Sequence, residues 1–340
     1  MFERPGSRVY VCEVGPRDGF QIEPAFIPTE AKIDLIDRLS RTGLPKIEVT
    51  SFVSPKAIPN LRDAAEVMYG IARTPGVVYA ALVPNLRGAE RALAAQADEI
   101  NLVMSVSATH NLANLRMTRE QSFAQLAEVI RAVRGSGVVI NASLSTCFGC
   151  PMEGPIAEDE VWRWAGRLLE AGAGGISLSD TTGMAHPGQV AALTAEFRRR
   201  WPAAALTLHL HNTRGMGLAN VLAGLESGAD RFDASLGGLG GCPYAPGATG
   251  NVCTEDLVQM LEAMGYATGV DLGRLLDCAR ALPALVGHDV PGQVAKAGPI
   301  TDRHPEPAWL PEVRAHAATR TECPVSSFPP LLPPEVTRDP

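Results

Sequence analysis

The sequence predicts an α/β protein, a (β/α)8 or TIM barrel with a C-terminal helical extension and a Pro-rich tail. Short apolar segments alternate with helical patterns from residue 8 to about 265 of the 340 residues. Most of the apolar segments are rich in Val, Ile and Leu, and several are apolar on both faces, as buried parallel strands are. An open doubly wound sheet is the structural alternative. The number and even spacing of the elements favour the closed barrel.

Eight strands are predicted, and each is followed by a turn. They are Val9–Val14, Lys46–Thr50, Val78–Val83, Glu99–Ser105, Val138–Ser145, Gly175–Ser179, Leu206–His211 and Arg231–Ser235. Eight helices are predicted between and after them, the first opening with a Thr cap. They are Thr29–Thr42, Leu61–Arg73, Arg87–Gln96, Thr118–Arg134, Glu158–Ala171, Gly188–Arg200, Met216–Ser227 and Thr254–Met264. These segments give the barrel its expected outer ring of helices.

The C-terminal part departs from this rhythm. One more helical stretch, Gly273–Leu282, precedes a Pro-rich segment without periodicity. We therefore predict a catalytic barrel domain over 1–298 and an extended or partly disordered tail over 299–340.

Composition and charge exclude several classes of partner. The net charge of −7 and the aromatic content of 5% argue against nucleic-acid binding, because no long basic stripe or set of stacking residues is present. No apolar run is long enough for a transmembrane helix, and no signal peptide is recognisable. Seven scattered cysteines suit a reducing compartment. We expect a cytoplasmic protein that contacts neither membrane nor nucleic acid.

Two histidines on the seventh predicted strand are the most informative feature of the chain. Side chains alternate along a strand, so His209 and His211 point the same way, with Cα atoms about 7 Å apart. Two imidazoles at this separation can bind one metal ion. The alternative is a pair of partly buried histidines that bond to the backbone.

Polar residues collect where predicted strands end, which is where barrel enzymes carry their active sites. Arg17 and Asp18 follow the first strand, Glu48 lies in the second, and Asp180 follows the sixth. Asp18, His209 and His211, with Asn251 as a possible fourth ligand, would suit Mg²⁺, Mn²⁺ or Zn²⁺. Arg17, beside a ligand, could neutralise charge on a substrate oxygen, although a surface ion pair with Asp18 is the alternative.

Two cysteine motifs lie near this predicted rim. The glycine-rich segment Gly237–Gly241 places Cys242 at a loop tip, where a thiol near a cation can move protons; a chemically inert residue is the alternative. Cys147 and Cys150 have the spacing of a redox or zinc motif. No second such pair exists, so an ordinary loop is the favoured interpretation.

Several motifs, in order along residues 8 to 300, resemble 3-hydroxy-3-methylglutaryl-CoA lyases, metal-dependent enzymes on (β/α)8 barrels. The motifs are Glu13-Val14-Gly15-Pro16-Arg17-Asp18-Gly19, Glu48–Lys56, Pro84-Asn85-Leu86, His209-Leu210-His211-Asn212, Gly237–Ala245 and Gly250-Asn251. The resemblance implies a carbon–carbon lyase that cleaves a 3-hydroxyacyl-CoA by a retro-Claisen reaction into acetyl-CoA and a keto acid, acetoacetate.

The resemblance also implies roles for individual residues. Asp18, His209, His211 and Asn251 would bind Mg²⁺ or Mn²⁺, and the catalytic residues would be Arg17, Cys242, Glu48 and Asp180. Arg17 would stabilise the enolate oxygen, Cys242 would supply a proton to the enolate carbon, and the two carboxylates would orient groups or transfer protons. Arg87 and Lys56 would contact the CoA thioester. A homo-oligomer, expected to be a dimer, completes these predictions.

Departures from the family pattern leave other substrates open. Phe20 stands where the family usually has Leu, Ile22 where Asn is common, and Ser179 where Gly is usual. A second interpretation is a lyase for another branched 3-hydroxyacyl-CoA, such as citramalyl-CoA or an isoprenoid-derived analogue. A third is a Claisen-type acyl transferase similar to isopropylmalate synthase, and a fourth is a non-catalytic protein stabilised by metal.

Overall fold

The computed structural model describes residues 6–241 and 250–319. In these residues eight parallel strands close into a barrel in sequence order, and β1 pairs with β8. The strands are β1 Tyr10–Glu13, β2 Lys46–Ser51, β3 Val78–Leu82, β4 Glu99–Ser105, β5 Val139–Ser145, β6 Gly175–Asp180, β7 Ala205–Leu210 and β8 Arg231–Ala234. The predicted barrel is confirmed, and the open sheet is excluded.

Helices follow the strands, and those before residue 299 form the outer layer of the barrel. They are α1 Thr29–Ser40, α2 Ala64–Gly70, α3 Leu86–Ala94, α4 Ala108–Leu115, α5 Arg119–Ala132, α6 Glu158–Ala171, α7 Pro187–Arg200, α8 Gly217–Glu226, α9 Thr254–Ala263, α10 Leu272–Val286, α11 Val294–Ala297 and α12 Leu310–Ala318. No described helix is long and apolar enough to cross a membrane.

Two local details differ from the sequence predictions. The helix α4 was not predicted, although Ser107 caps it by accepting the N–H of His110 at 3.0 Å. Thr29 does not cap α1, because Pro28 occupies the cap position without a side-chain bond. The Thr29 hydroxyl instead donates to Asp63 at 2.9 Å. A residue distant in sequence therefore binds the hydroxyl that was expected to cap the helix.

The main core lies between the outer face of the barrel and the helices. Leu144, Leu178 and Leu208 are fully buried there. A Cβ on Gly224 of α8 would lie only 2.3 Å from Leu208 Cδ1, so a glycine is required for this helix to pack closely on β7. Apolar burial at this interface holds the strand ends in fixed positions.

The inward face of several strands is polar. Asn101 of β4 donates to Glu48 of β2 at 3.0 Å and accepts a bond from Asn141 of β5 at 3.0 Å. Lower in the barrel, Lys46 and Glu99 form an ion pair at 2.8 Å. These bonds fix Glu48 beneath the mouth of the barrel, since buried polar groups need partners.

The chain divides into two compact units, Met1–Pro299 and Ile300–Pro340. The described part of the second unit contains α12, a helix that the prediction of an extended tail did not include. Pro311 and Glu312 lie in its first turn, where proline and acidic side chains favour a helix start. The predicted division at residue 298, as a boundary between functional domains, stays a prediction.

Candidate active site

A tight turn after β1 carries the first two predicted site residues. Residues Gly15–Gly19 form a single π-helical turn, in which the N–H of Phe20 donates to the carbonyl of Gly15, five residues earlier. Such turns are rare and are found frequently at functional sites. Here the turn buries both Arg17 and Asp18 at the C-terminal end of the barrel.

Three predicted ligands come together at this end. Ligand atoms of Asp18, His209 and His211 all lie within 4.8 Å of one another, and all three residues are buried. The two histidine Nε2 atoms are 3.2 Å apart, and His209 Nε2 lies 4.0 Å from Asp18 Oδ2. His211 follows the last residue of β7, so the two imidazoles share the inward face. The arrangement is typical of a site for one cation.

Asn251, the fourth predicted ligand, lies against the same carboxylate. Its Nδ2 donates to Asp18 Oδ2 at 2.7 Å and to the carbonyl of Leu239 at 3.0 Å. Its buried Oδ1 has no hydrogen-bond partner among the described residues. An unpaired oxygen in a residue that bonds the Asp18 carboxylate is chemically suited to a cation ligand. If the Oδ1 and Nδ2 atoms of the Asn251 amide are exchanged, this oxygen turns toward Asp18.

The electrostatics keep two of these ligands, Asp18 and His211, in the protonation states that bind metal. Burial alone would raise the pKa of Asp18, but Arg17 and the histidines lower it to about 2, so the carboxylate is ionised. Burial, together with the nearby His209, lowers the pKa of His211 to about 3, so this imidazole is neutral. Carboxylate and neutral imidazole are the forms that bind divalent ions.

Asp233 is a neighbour of the cluster that the sequence analysis did not predict. Its Oδ2 lies 3.2 Å from His209 Nδ1 and accepts that N–H, which leaves the lone pair of Nε2 directed at the cluster. Burial would lower the pKa of His209, but the bond and charge of Asp233 raise it. The alternation in β8 could have suggested an inward side chain, but only the register pairs Asp233 with His209.

Arg17 is held between two carboxylates. Its Nε donates to Glu48 Oε2 at 2.6 Å, its Nη2 lies 2.6 Å from the same oxygen, and its Nη1 contacts Asp18. Arginine has five N–H bonds, so two remain for a ligand. Burial raises the pKa of Glu48 although Arg17 opposes this. Arg17 is therefore a fixed cation beside the three ligands, and not a surface ion pair.

Asp180 is not brought into the cluster. It is in register with Leu210, so it lies on the outer face of the sheet, whereas Ser179 shares the inward face with His209. Its Oδ1 accepts the N–H groups of Met184 and Ala185 at 2.7 and 3.1 Å, which orders the loop after β6. Burial raises the pKa of Asp180 to about 7.

The remaining predicted site residues have different surroundings. Lys56 and Arg87 are exposed, on the segments that follow β2 and β3 at the mouth of the barrel. Cys242 lies outside the described residues. Cys147 and Cys150 are buried free thiols, so they form no disulfide.

Gly240 and Gly250, which lie on either side of residues 242–249 in the sequence, pack closely on their neighbours near the cluster. A Cβ on Gly240 would lie 2.4 Å from Asn251 Nδ2, and one on Gly250 would lie 2.2 Å from the carbonyl oxygen of Gly238. Both glycines have positive φ angles, 115° and 95°. Any side chain here would displace the backbone from Asn251, so glycine is needed for the close approach.

A closed barrel with a buried two-histidine, carboxylate and amide cluster beside a fixed arginine defines a barrel enzyme built to use a divalent cation. Residues 8–282 match the family model described as HMGL-like. By this match the chain belongs to the HMGL-like family. It is an enzyme of the carbon–carbon lyase class.

Individual relatives agree with this assignment. A hydroxymethylglutaryl-CoA lyase of Bacillus subtilis is 47% identical over 287 residues, which cover 84% of this chain and 96% of the relative. The mitochondrial hydroxymethylglutaryl-CoA lyase of Gallus gallus is 46% identical over 271 residues, 80% of this chain and 91% of the relative. A solved HMG-CoA lyase of Acinetobacter baumannii, in complex with coenzyme A and 3-methylmalate, has a TM-score of 0.85 and 55% identity, covering 88% of this chain and 98% of that chain.

Proposed function

We propose that this protein cleaves 3-hydroxy-3-methylglutaryl-CoA into acetyl-CoA and acetoacetate with a divalent metal ion. The observation that carries the proposal is the convergence of the Asp18, His209 and His211 ligand atoms within 4.8 Å, beside a buried arginine. The similarity to lyases of this name over more than four fifths of the chain supports the substrate.

Asp18, His209, His211 and Asn251 would hold the cation. The two oxygen donors suit Mg²⁺ or Mn²⁺, and the two imidazole donors also suit Zn²⁺. A divalent ion bound there would lower the pKa of the substrate 3-hydroxyl and orient it.

Arg17 would stabilise the charge that develops during cleavage. When the C2–C3 bond breaks, the carbon that carried the hydroxyl becomes the ketone carbon of acetoacetate. The electron pair of the broken bond moves to C2 and gives the enolate of the acetyl thioester. The two N–H bonds of Arg17 that Glu48 and Asp18 leave unused can bind the enolate oxygen. Glu48, fixed by Asn101, orients the guanidinium.

Two proton transfers balance the reaction, one from the 3-hydroxyl and one to C2. We assign the second to Cys242, because it lies in the motif Gly237–Ala245, which resembles the corresponding motif of 3-hydroxy-3-methylglutaryl-CoA lyases. Of the two predicted roles of Asp180 we propose the orienting one, because it lies outside the cluster and its Oδ1 accepts the N–H groups of Met184 and Ala185 in the loop after β6.

Lys56 and Arg87 are proposed to bind the CoA phosphates, because both are exposed cations beside the mouth of the barrel. A homodimer and a cytoplasmic location stay predictions, and the relatives' names include both mitochondrial and cytoplasmic enzymes.

Phe20 is only 1% exposed and packs in the core, which argues against a pocket reshaped by this residue.

A substrate panel tests the proposal. The purified protein is assayed with 3-hydroxy-3-methylglutaryl-CoA, citramalyl-CoA and an isoprenoid-derived 3-hydroxyacyl-CoA, with Mg²⁺ or Mn²⁺ and after EDTA treatment. We expect the first substrate to give the highest kcat/KM, with loss of activity in EDTA. Acetoacetate formation that persists without metal, or a preference for another acyl group, would contradict the proposal. Synthesis of a condensed acid from acetyl-CoA and an oxo acid would favour the acyl-transferase alternative.

A further inference from the structure

A second buried carboxylate lies behind the cation cluster and takes no part in the mechanism above. Glu13 is the last residue of β1 and is fully buried. Its Oε1 accepts the N–H of Gly15 at 2.7 Å and the N–H of Leu236 at 2.9 Å. Its Oε2 accepts the hydroxyl of Thr254 at 2.7 Å. One side chain therefore links the turn directly after β1 to two segments more than 220 positions later in the sequence.

Each of these segments carries or orients a proposed metal ligand. Gly15 begins the turn that contains Asp18. Leu236 begins the turn of residues 236–238, and the carbonyl of Leu239 directly after it accepts from Asn251 Nδ2 at 3.0 Å. Thr254 lies three residues after Asn251.

A second glutamate supports the same turn. Glu255 Oε2 accepts the N–H of Gly237 at 3.0 Å, next to the N–H that Glu13 accepts. Gly237 and Gly238 have φ angles of 64° and 72°, and because glycine has more backbone freedom than other residues, bonds to this turn restrict its conformation. Two successive N–H groups are thus fixed by two buried carboxyl groups.

We propose that Glu13 is a positioning residue that holds the Asp18 turn in register with the loop that orients Asn251, and so sets the geometry of the cation site. The inference rests on the metal site of the proposed function. It concerns a group that touches neither metal nor substrate. Asp18 and Asn251 are 233 positions apart, and Glu13 is bonded to the backbone on both sides of their contact.

The role depends on the positions of the acceptor atoms more than on charge. The pKa of Glu13 is raised to about 7, mainly by burial, so the neutral form is populated near neutral pH. A glutamine could place its oxygen at the Oε1 position for both N–H groups. Its amide N–H would then donate to Thr254, because a hydroxyl also accepts. An aspartate keeps the charge but is one methylene too short to reach all three donors.

The test compares Glu13→Gln, Glu13→Asp and a control, Lys32→Met, in the full chain. Lys32 is buried, pairs with Asp63 at 2.7 Å and is neither a proposed ligand nor a partner of Glu13, so its loss reports general destabilisation. Mn²⁺ affinity is measured by calorimetry without substrate, at a temperature where circular dichroism shows each variant folded. Thr254→Val, which removes one donor, replaces Glu13→Asp if that variant does not fold.

We expect Glu13→Gln and Lys32→Met to bind Mn²⁺ within about threefold of wild type, and Glu13→Asp to bind about 10–100-fold more weakly. Thr254→Val should weaken binding by more than threefold. Wild-type affinity in Glu13→Asp, or equal losses in Glu13→Gln and Glu13→Asp, would overturn the inference. Because the readout is metal binding, failure of the wild type to cleave 3-hydroxy-3-methylglutaryl-CoA would refute the proposed function while leaving this result interpretable.

Discussion

Replacement of Arg17 by lysine isolates the contribution of a single hydrogen-bond donor to the proposed reaction. Arg17 spends three of its five N–H bonds on Glu48 and Asp18, so two remain for the enolate oxygen. A lysine ammonium has three N–H bonds, and the same two carboxylates would take two of them. Arg17→Lys therefore keeps the buried charge balanced and removes one donor to the reacting oxygen.

Loss of one positioned donor to an oxyanion costs about 10²–10³ in kcat, or roughly 3–4 kcal/mol of transition-state free energy. We expect kcat for acetyl-CoA formation to fall by this factor at saturating Mn²⁺, while the Mn²⁺ dissociation constant stays within about threefold. Arg163→Lys, on the exposed face of α6, is the matched control and should retain wild-type kcat. A kcat within about fivefold of wild type, or a metal affinity that falls in parallel with kcat, would refute the assignment of Arg17 to the enolate.

Three further predictions concern His209, Cys242 and Asp180. His209→Ala should lower Mn²⁺ affinity severely, and His186→Ala on the surface should not; equal metal titrations would remove His209 from the ligand set. Cys242→Ser should depress turnover with near-normal metal content, and full activity would contradict its proton role. The pKa of Asp180 rises from 3.8 to about 7 in the folded protein, so the folded state binds more protons between these values and the free energy of unfolding falls as pH rises across them, by up to about 4 kcal/mol. Asp180→Asn should make this slope less steep in urea unfolding measured from pH 4 to 7, while the contribution of Glu13, whose pKa is also raised to about 7, remains. An unchanged slope would exclude Asp180 as one of its sources.

The barrel and the histidine pair were predictable because both depend on short-range periodicity. Strand alternation alone puts His209 and His211 on one face, and the parallel order puts the strand ends at one mouth. The contact between Asp18 and Asn251 spans 233 positions, so no local pattern could supply it. The orientation of Asp180 was also beyond the sequence, because only its register with Leu210 assigns it to the outer face.

Local rules failed where a tertiary partner competed with them. Thr29 follows the rule for a helix cap in sequence, but Asp63 accepts its hydroxyl and Pro28 takes the cap position. Asp233 was not predicted because the partner of an acidic residue in a short strand cannot be inferred until the neighbouring strand and its register are known. It becomes a partner of His209 only through the pairing of β7 with β8.

The sequence by itself determined the fold class, the rim on which the chemistry lies and the residue types able to bind a cation. Those properties depend on hydrophobic periodicity and on the intrinsic chemistry of side chains, which every short segment carries with it. Only the tertiary structure decided which groups meet: it joined Asp18, His209, His211 and Asn251, fixed Arg17 between two carboxylates, and gave Glu13 two distant donors, Leu236 and Thr254. Distances between remote segments depend on barrel closure and strand register, which arise from the packing of the whole chain.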